Sequence, residues 1–282
     1  MKKKYSRRKF LTVLGLSAIG VAGYGGVVES GRFIIRRHQI RLGRFSGRTS
    51  VTILHLSDFH ASPVVSLEQI SEAVELGLGC KPDLVCLTGD FITRRYDRFD
   101  EYAAVLSPLA KHAPAFACLG NHDGGAWAKR RYGYPDTAQV STLLHKSGVQ
   151  LLHNSAEPVR VKGWRFNILG LGDYWAGDMQ PDLAFEHATG SDSVTIALAH
   201  NPDSIQELNP YRWDLMLCGH THGGQLRLPV LGTPFAPVKD HRFVEGLHNC
   251  NGRWVHITRG VGNLLGIRIN CPPEVSLITL VG

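Results

Sequence analysis

Six short apolar segments, each ending in a polar residue, constrain the fold of this chain more than any other feature. Their richness in Val, Ile and Leu is typical of strands that are buried on both faces of a sheet. The segments cover residues 51–58, 83–90, 115–122, 166–173, 194–200 and 213–220. Because helix-like segments separate several of them, the alternation predicts a layered α/β domain.

Amphipathic segments provide the helices of this prediction. The segment Ser66–Gly79 has an apolar residue every three or four positions, and Ser66 is placed to cap its first turn. Residues 97–112 and 136–147 are similar but less regular. Towards the end the pattern contains strands only, at 254–258 and 275–281, which favours two sheets packed face to face. We therefore predict one catalytic domain over residues 51–282.

Polar residues follow the ends of these strands in a regular way. Ligands bind at the carboxyl ends of the strands in open α/β sheets, so we expect these residues to converge. Taken singly, each motif is an ordinary loop sequence, but all of them occur in order after successive strands. Gly89, Gly120 and Gly219 precede three of the motifs and are expected to allow sharp turns. The motif residues are Asp58, His60, Asp90, Asn121, His122, Asp123, His200, His220 and His222.

The chemistry of these side chains points to metal ions. Carboxylate, amide and imidazole groups without a thiolate suit Mn, Fe, Zn or Mg rather than a structural zinc cluster. The candidate ligands outnumber the positions around a single ion, so we predict two divalent metal cations. Two such ions about 3.5–4 Å apart clamp both oxygens of an in-line phosphoryl displacement, and a hydroxide between them is a nucleophile at neutral pH.

The order Asp-x-His, Gly-Asp, Gly-Asn-His-Asp, His and Gly-His-x-His resembles the calcineurin-like metallophosphoesterases over about residues 50–281. This resemblance implies a four-layer α/β/β/α metallophosphoesterase sandwich. It also implies that Asp90 bridges the two ions, with Mn²⁺ as the expected metal and Fe, Zn or Mg as alternatives. The implied ligands are Asp58, His60, Asp90 and His222 for one ion, and Asp90, Asn121, His200 and His220 for the other.

The same resemblance implies a catalytic role for His122, which would protonate the leaving oxygen or stabilise charge on the phosphoryl group. Asp123 would orient it, and an imidazole suits the role because it titrates near neutral pH. Three further residues are candidates for substrate binding. Asp173 either lines the substrate cleft or is a plain loop carboxylate. Gln225 and Arg227 either reach a phosphate or have structural roles.

The N-terminus carries the signature of a targeting segment. Arg7 and Arg8 precede Phe10–Val28, a run without charge, and adjacent arginines at that place are typical of a Tat export signal. Residues 1–30 are therefore predicted to be a twin-arginine leader or membrane anchor, with a Sec signal or plain membrane helix as alternatives. Residues 31–50 are predicted to be a basic linker or a first strand. The predicted location is the periplasmic side of the inner membrane, with the Tat machinery as partner and the cytoplasmic face as alternative.

The net charge of +7 misrepresents the catalytic part of the chain. Residues 1–50 hold twelve of the 31 Lys and Arg residues and only Glu29 among the 24 acids, so the remainder is net acidic. We therefore predict no nucleic-acid partner, and a monomer. The six cysteines lack the spacing of a disulfide framework, so they are expected to be core residues, as is His55.

Together these features predict a metal-dependent phosphodiesterase or pyrophosphatase. The leader and basic flank favour a membrane-associated or lipid-linked substrate, and the resemblance suggests a UDP-2,3-diacylglucosamine-like lipid A precursor as one candidate. A phosphomonoesterase, acting for example on a phosphoprotein, is an alternative function. So is a noncatalytic membrane-tethered adaptor, although an adaptor would not need His122.

Overall fold

Two six-stranded mixed sheets form the centre of the protein. The structure, a computed structural model, describes residues 29–43, 47, 49–186, 188, 190 and 192–282. All but the last two residues of the predicted leader, 1–30, lie outside these ranges. Within them, no helix combines the length and the apolar character that crossing a membrane requires.

The regular elements follow the predicted order of strands and helices. The strands are β1 (Ile34–Arg41), β2 (Val51–Leu56), β3 (Leu84–Thr88), β4 (Ala115–Cys118), β5 (Gln150–Leu151), β6 (Ser155–Val161), β7 (Trp164–Gly170), β8 (Val194–Leu198), β9 (Leu215–Cys218), β10 (Gly246–Cys250), β11 (Arg253–Ile257) and β12 (Glu274–Val281). The helices are α1 (Leu67–Gly79), α2 (Phe99–His112), α3 (Gly125–Lys129), α4 (Ala138–Ser147) and α5 (Pro181–Glu186). Short 3₁₀ turns lie at Pro202–Gln206, His222–Gly224 and His241–Val244.

The first sheet has the strand order β1-β12-β2-β3-β4-β5, and the second has the order β10-β11-β9-β8-β7-β6. Strands β2, β3, β4 and β5 pair in parallel, as do β7, β8, β9 and β11. The antiparallel pairs are β12 with β2, β10 with β11, and β6 with β7. Because the central strands of both sheets are parallel, each sheet gathers its carboxyl ends along one edge.

Three apolar clusters separate the layers. The first fills the space between the first sheet and helices α1, α2 and α4, and it includes Ile70, Leu106 and Leu143. The second lies between the sheets, where Phe116 and Phe166 are buried. The third covers the outer face of the second sheet with α5, the 3₁₀ turns and loops. The predicted α/β/β/α sandwich is confirmed, with a thin fourth layer that contains only one short α-helix.

Two local predictions can be compared with the structure. Helix α1 begins where expected, because the Ser66 side chain accepts a hydrogen bond from the backbone N–H of Gln69. The stretch 31–50 contains strand β1, which pairs in parallel with β12 from Ile34 opposite Glu274 to Arg41 opposite Val281. This pairing attaches the N-terminal flank to the edge of the first sheet.

All six cysteines are free thiols. Cys86, Cys118, Cys218 and Cys271 are buried, and burial raises the pKa of each of these thiols above its ordinary value. Cys80 and Cys250 are partly buried. Because the thiolate is the reactive form of cysteine, the buried thiols act as small core residues.

Candidate metal centre

The predicted ligands lie just beyond the ends of strands in both sheets. Strand β2 leads into Asp58 and His60, β3 into Asp90, and β4 into Asn121. On the second sheet, β8 leads into His200 and β9 into His220 and His222. All seven side chains are buried, with at most 5% of any of them exposed. The packing of the two sheets thus brings together residues that are far apart in the sequence.

The first group consists of Asp58, His60 and His222, whose ligand atoms lie within 4.8 Å of one another. The Nε2 atoms of His60 and His222 are 3.1 Å apart. Oδ1 of Asp58 lies 3.5 Å from Nε2 of His222 and 4.0 Å from Nε2 of His60. Three donor atoms therefore face one small volume.

The second group consists of Asp90, His200 and His220, again with ligand atoms within 4.8 Å of one another. Nε2 of His200 lies 3.1 Å from Oδ2 of Asp90 and 3.2 Å from Nδ1 of His220. Asn121 lines the same cavity as Asp90 and His220, and its buried Oδ1 has no hydrogen-bond partner among the described residues. An orphaned buried acceptor is costly unless an ion or a water satisfies it.

Asp90 lies between the two groups. Its Oδ2 atom is 3.4 Å from Nε2 of His60 in the first group and 3.1 Å from Nε2 of His200 in the second. Its other oxygen, Oδ1, accepts a hydrogen bond from the backbone N–H of His122. One carboxylate oxygen thus faces both groups, as a bridging ligand must.

Hydrogen bonds fix the ring orientation of two histidines. Nδ1 of His200 lies 2.6 Å from the Thr88 carbonyl, which can only accept, so in the neutral ring Nδ1 carries the proton and Nε2 has the lone pair that a metal ligand needs. Thr93 Oγ1 donates to the His60 carbonyl and lies 3.2 Å from Nδ1 of His60. The Thr93 hydroxyl can therefore accept the proton of that nitrogen, which again leaves Nε2 as a ligand.

Burial and charge set the protonation of the site. Burial lowers the pKa of His60 to about 3, and it also lowers the pKa values of His220 and His222. Burial raises the pKa of Asp58 to about 6. The pKa of His200 is raised because the nearby Asp90 carboxylate outweighs the effect of burial. His60, His220 and His222 are thus neutral imidazoles that face carboxylates, and such a donor set is suited to hold divalent cations, which would displace the extra proton of His200.

The backbone at the ligands is strained. Asp58, His60, Asp90, His220 and His222 all have positive φ values, between 50° and 70°. Residues other than Gly rarely adopt this region, and strained conformations concentrate at functional sites. The strain therefore indicates that ligand placement takes precedence over local backbone preference.

The glycines before the motifs have two different roles. Gly89 has φ +83° and makes the expected sharp turn, but Gly120 and Gly219 do not have positive φ values. A Cβ at Gly120 would lie 2.3 Å from Oδ1 of Asp90, and one at Gly219 would lie 2.1 Å from Oδ2 of Asp58. The expectation of a sharp turn is thus wrong at these two positions, where the absent side chain makes room for a ligand carboxylate.

A cleft of about 800 Å³ lies above the two groups. His122 lines it, and Nδ1 of His122 is 2.7 Å from the Thr93 carbonyl. The carbonyl holds the proton on Nδ1, so Nε2 is the ring atom available to a bound molecule. The other residues that line the cleft include basic, aromatic and aliphatic side chains: Arg94, Trp127, Arg130, Arg131, Tyr132, Trp175, Gln225, Leu226, Phe235, Pro237, Leu264 and Leu265.

The prediction that Asp123 orients His122 is wrong. The Asp123 carboxylate accepts hydrogen bonds from the backbone N–H groups of Asp90, Phe91 and Gly120, at 2.7–2.9 Å. A carboxylate satisfied by several N–H groups has a structural role, and here it ties the loop after β3 to the loop after β4. The Thr93 carbonyl orients His122 instead.

The three candidates for substrate binding differ in their positions. Gln225 lines the cleft, and its amide donates to the Ile267 carbonyl at 3.0 Å. Arg227 is not among the residues that line the cleft, and its guanidinium group forms a 2.5 Å ion pair with Glu245, which agrees with the structural role that was one of its two expected roles. Asp173 does not line the cleft either.

Asp173 has an indirect role in shaping the cleft. Its Oδ1 accepts hydrogen bonds of 2.8 Å from the backbone N–H groups of Trp175 and Ala176. The turn held in this way places the Trp175 ring 4.2 Å from the His220 ring, centroid to centroid. Asp173 was expected either to line the cleft or to be a loop carboxylate, and in the structure it is a loop carboxylate. The aromatic residue beside it reaches the cleft.

Several residues of the site were not predicted. Arg94, Arg130 and Arg131 supply positive charge to the cleft, and Trp127 stacks beneath Arg131 at 3.9 Å. The sequence signal of Trp127, Arg130 and Arg131 was a cluster of aromatic and basic residues shortly after the Gly-Asn-His-Asp motif, whereas Arg94 follows the Gly-Asp motif at Asp90. Arg268 is fully buried and donates to backbone carbonyls of the surrounding loops, including Arg259 and Gly262.

A third cluster lies at the edge of the sheets, where ligand atoms of His38, His256 and Glu274 are within 4.8 Å of one another. Arg36 and Arg259 reach to 3.4 Å and 3.8 Å from Oε2 of Glu274. Because two guanidinium groups already balance this carboxylate, a further cation would meet electrostatic repulsion. We therefore place the candidate cation sites in the first two groups only.

Two buried Asp/His groups that share a carboxylate, at the strand ends of two packed sheets, are the arrangement of a binuclear metal-dependent phosphoester hydrolase. Comparison with known families gives the same class. The sequence model described as Calcineurin-like phosphoesterase matches residues 51–224, which is more than half of the chain. The chain therefore belongs to the calcineurin-like phosphoesterase family.

Curated relatives extend the similarity to almost the whole chain. The phosphodiesterase YaeI of Escherichia coli is 42% identical over 280 residues, covering 98% of this chain and 99% of the relative. The uncharacterized metallophosphoesterase YkuE of Bacillus subtilis is 30% identical, covering 99% and 98%. The UDP-2,3-diacylglucosamine pyrophosphatase LpxG of Chlamydia trachomatis is 27% identical, covering 83% and 85%. The protein is thus a phosphoric ester hydrolase.

Proposed function

We propose that the protein is a phosphodiesterase or pyrophosphatase that works with two divalent cations. Mn²⁺ is the expected metal. The supporting observation is the position of Asp90, whose Oδ2 lies within 3.4 Å of Nε2 of both His60 and His200. Asp58, His60, Asp90 and His222 would hold one cation, and Asp90, Asn121, His200 and His220 the other. When bound, the cations supply Lewis-acid charge and a nucleophile at neutral pH.

His122 is proposed as the proton donor to the leaving oxygen. Its backbone N–H donates to Asp90 and its Nδ1 faces the Thr93 carbonyl, so both its backbone and its ring are tied to the loop after β3. The free ring nitrogen, Nε2, then has a defined position in the cleft. A positioned imidazole contributes by delivering a proton when the bond to the leaving oxygen breaks.

Arginines are proposed to bind the phosphate groups. Arg94, Arg130 and Arg131 line the cleft and make no ion pair with any acidic side chain in the described parts of the chain. A guanidinium group donates two parallel hydrogen bonds to a phosphate, which fixes its orientation. Three such groups suit a substrate with more than one anionic group, such as a pyrophosphate.

The apolar lining of the cleft supports a substrate with an apolar part. Trp127, Trp175, Phe235, Leu264 and Leu265 contribute to the wall, whereas a nucleotide or a sugar phosphate alone would need more polar partners. The name of the relative LpxG, a UDP-2,3-diacylglucosamine pyrophosphatase, supports a substrate with acyl chains, and the name of YaeI supports a phosphodiester. We propose a lipid-linked or otherwise membrane-associated phosphoester as substrate.

A membrane location follows from the sequence of the leader. Arg7 and Arg8 before Phe10–Val28 support Tat-dependent export, with the catalytic domain on the periplasmic side of the inner membrane. This proposal can be tested by fusing residues 1–50 to a reporter that is active only after export. Replacing both arginines with lysine should abolish export through the Tat route, and unchanged export would contradict the proposal.

The activity itself can be tested with the purified full-length protein in detergent. Bis(p-nitrophenyl) phosphate, p-nitrophenyl phosphate and a UDP-linked diacyl sugar would be compared after loading with Mn²⁺, alongside metal analysis. We expect hydrolysis of the diester or the pyrophosphate to exceed that of the monoester. Faster hydrolysis of the monoester would favour the phosphomonoesterase alternative. Two bound metals without hydrolysis of any ester would favour the adaptor.

A further inference from the structure

We propose that an apolar rim at the mouth of the cleft docks the protein onto the surface of a lipid bilayer that contains anionic lipids. The apolar rim consists of Val64, Val230, Leu231, Phe235, Leu264 and Leu265. Phe235, Leu264 and Leu265 also belong to the cleft wall, whereas Val64, Val230 and Leu231 lie outside the cleft lining and extend the apolar surface beyond it. The proposal goes beyond the proposed function because it names where the membrane meets the protein.

The rim is unusually exposed for apolar side chains. The relative exposure is 106% for Val230, 69% for Leu231, 67% for Phe235 and 69% for Leu265. Single exposed apolar residues are ordinary, but a cluster beside a binding cleft marks an interaction surface. These residues also account for most of the strongly exposed large apolar side chains among the residues that the structure describes.

The members of the rim come from three segments that lie side by side. Leu228 pairs with Gly232, so Val230 and Leu231 form the tip of a tight hairpin. A bridge between Leu226 and Ile269 joins this hairpin to the segment that carries Leu264 and Leu265. Val64 packs next to Gly266, since a Cβ there would be 3.5 Å from its side chain. The rim is therefore one continuous surface.

The stability of the fold does not explain why apolar residues occupy the hairpin tip. Val230 has φ +69°, a conformation that a β-branched residue adopts only at a cost and that Gly or Asn would adopt more easily. Its side chain is fully exposed, so burial within the protein offers no compensation. An apolar partner outside the chain provides the compensation that the fold lacks.

Basic residues in the cleft lining and next to it in the sequence indicate which partner this is. Arg94, Arg95, Lys129, Arg130 and Arg131 are all exposed and form none of the ion pairs in the described structure. An anionic bilayer presents negative headgroups above an apolar interior, which complements a cleft lined by both exposed arginines and exposed apolar residues. A soluble protein partner would not require this pairing of charge and exposed aliphatic residues.

The N-terminal end of the described chain lies beside the rim. Ser30 Oγ donates to the Gly266 carbonyl at 3.2 Å, and Gln69 donates to the Ser30 carbonyl at 3.0 Å. The uncharged sequence Phe10–Val28 directly precedes this end of the described chain in the sequence. A bilayer that receives this sequence would meet the rim at the same face of the domain.

Docking in this orientation would turn the cleft towards the lipid surface. A lipid-linked phosphate could then reach His122 while its acyl chains stay among the lipids. This last step rests on the proposed activity, and the part played by Phe10–Val28 rests on the proposed membrane location, whereas the apolar rim and the basic residues depend on neither.

Docking can be tested by labelling the full-length protein in vesicles that contain phosphatidylglycerol. The variant Leu231→Cys would be compared with Arg160→Cys, whose side chain is exposed at the end of β6 remote from the metal centre. A membrane-impermeant maleimide would be added, and labelling would be located by peptide mass spectrometry, which separates the native cysteines. We expect Leu231→Cys to react about tenfold more slowly than Arg160→Cys, because insertion shields it.

Lipid composition provides a second arm of this experiment. In vesicles of phosphatidylcholine alone, or at high salt, the protection of Leu231→Cys should weaken because the attraction of the arginines is lost or screened. Equal labelling rates in anionic vesicles would overturn the proposal. So would a disulfide-linked dimer of Leu231→Cys that forms independently of lipid, since a second copy of the chain would then cover the rim.

Activity separates this proposal from the proposed function. The double variant Val230→Ser and Leu231→Ser should hydrolyse a soluble diester at the wild-type rate but a vesicle-borne substrate several-fold more slowly. Leu183→Ser, at a 45% exposed position on α5, is the matched control and should change neither rate. If Leu231→Cys is protected from the maleimide but the protein hydrolyses no phosphoester, docking stands and only the proposed function is overturned. If the double variant loses activity equally on the soluble diester and on the vesicle-borne substrate, loss of docking cannot explain the effect, and the proposal is overturned.

Discussion

The backbone N–H of His122 donates a 2.9 Å hydrogen bond to Oδ1 of Asp90, the carboxylate whose other oxygen faces both groups of candidate ligands. The proposed acid and the proposed bridging ligand are therefore held in one hydrogen-bonded unit. This contact links the loop after β3 to the loop after β4 at the centre of the site.

Changing Asp90 to Asn should remove most of the metal from both sites. An amide lacks the negative charge that lies within 3.4 Å of two ligand histidines, so both cations lose attraction at once. We expect fewer than two metal equivalents per chain after dialysis, and a fall in diester hydrolysis of about hundredfold or more. Plasma mass spectrometry and a chromogenic assay would measure the two effects.

Asp214→Asn is the matched control for this substitution. Asp214 is also buried, but it accepts a bond from the Thr195 N–H at the opposite end of the strands. Two metals and normal activity are expected in the control. If Asp90→Asn kept both metals, a bridging role for Asp90 would be excluded. A third equivalent in the wild type would assign metal to the cluster of His38, His256 and Glu274.

Replacing His122 with Ala should lower the turnover without removing metal, because the side chain is proposed to act only on the leaving oxygen. The effect should depend on the leaving group. An alkyl ester needs the proton and should lose about 10²–10⁴-fold, whereas a nitrophenyl ester should lose much less. Measuring kcat for both ester types at constant metal content tests this.

His145→Ala, on the exposed side of α4, serves as the control and should leave both rates unchanged. A loss of equal size for both leaving groups would argue against proton donation by His122 and in favour of charge stabilisation.

Replacing Asp123 with Ala should act on stability rather than on proton transfer. The substitution orphans the buried N–H groups of Asp90, Phe91 and Gly120, each of which costs about 1–3 kcal/mol when left unsatisfied. We expect a lower melting temperature and weaker metal binding, with the leaving-group dependence of the remaining activity preserved. If Asp123→Ala had normal stability and the kinetic profile of His122→Ala, Asp123 would orient His122 after all.

The stability of the metal-free protein should fall in acid partly because of His55. Burial lowers the folded-state pKa of His55 to about 3, whereas the ordinary value is 6.5. As the pH falls below 6.5 the unfolded chain binds a proton that the folded chain excludes, so unfolding is favoured. The free energy of unfolding should drop by about 1.4 kcal/mol per pH unit from this group, down to pH of about 3.

Urea unfolding of His55→Asn in EDTA across this pH range would show the effect. The variant should start less stable at neutral pH, because His55 bonds to Thr88 and His256, but it should lose stability with a shallower pH slope. The exposed His145→Asn variant should keep the wild-type slope. An unchanged slope in His55→Asn would show that His55 does not contribute to acid unfolding.

Ligand positions could be predicted from the sequence because strand periodicity and residue type are both local properties. Strands ended where apolar runs met Asp58, Asp90 and His220, and parallel pairing then determined that these ends converge. The roles of Asp123 and Arg227 could not be predicted in this way. Each depends on which group the folded loop places opposite the side chain, and no spacing rule contains that information.

The walls of the cleft were harder to predict than its floor. Arg94 and Arg131 come from loops without periodicity, so their sequence positions do not indicate a shared face. Arg268 contradicts the general expectation that arginine is exposed, because it is fully buried among backbone carbonyls. Such residues become visible only when the loops around them are placed in space.

The burial of the free thiols determines how the chain responds to an oxidising environment. Four of them lie in the interior with raised pKa values, so oxidants meet neither an accessible sulfur nor a thiolate there. No crosslink has to form for the described domain to be complete. These four cysteines can therefore stay reduced in an oxidising compartment as well as in a reducing one, because the packed interior shields them from oxidants.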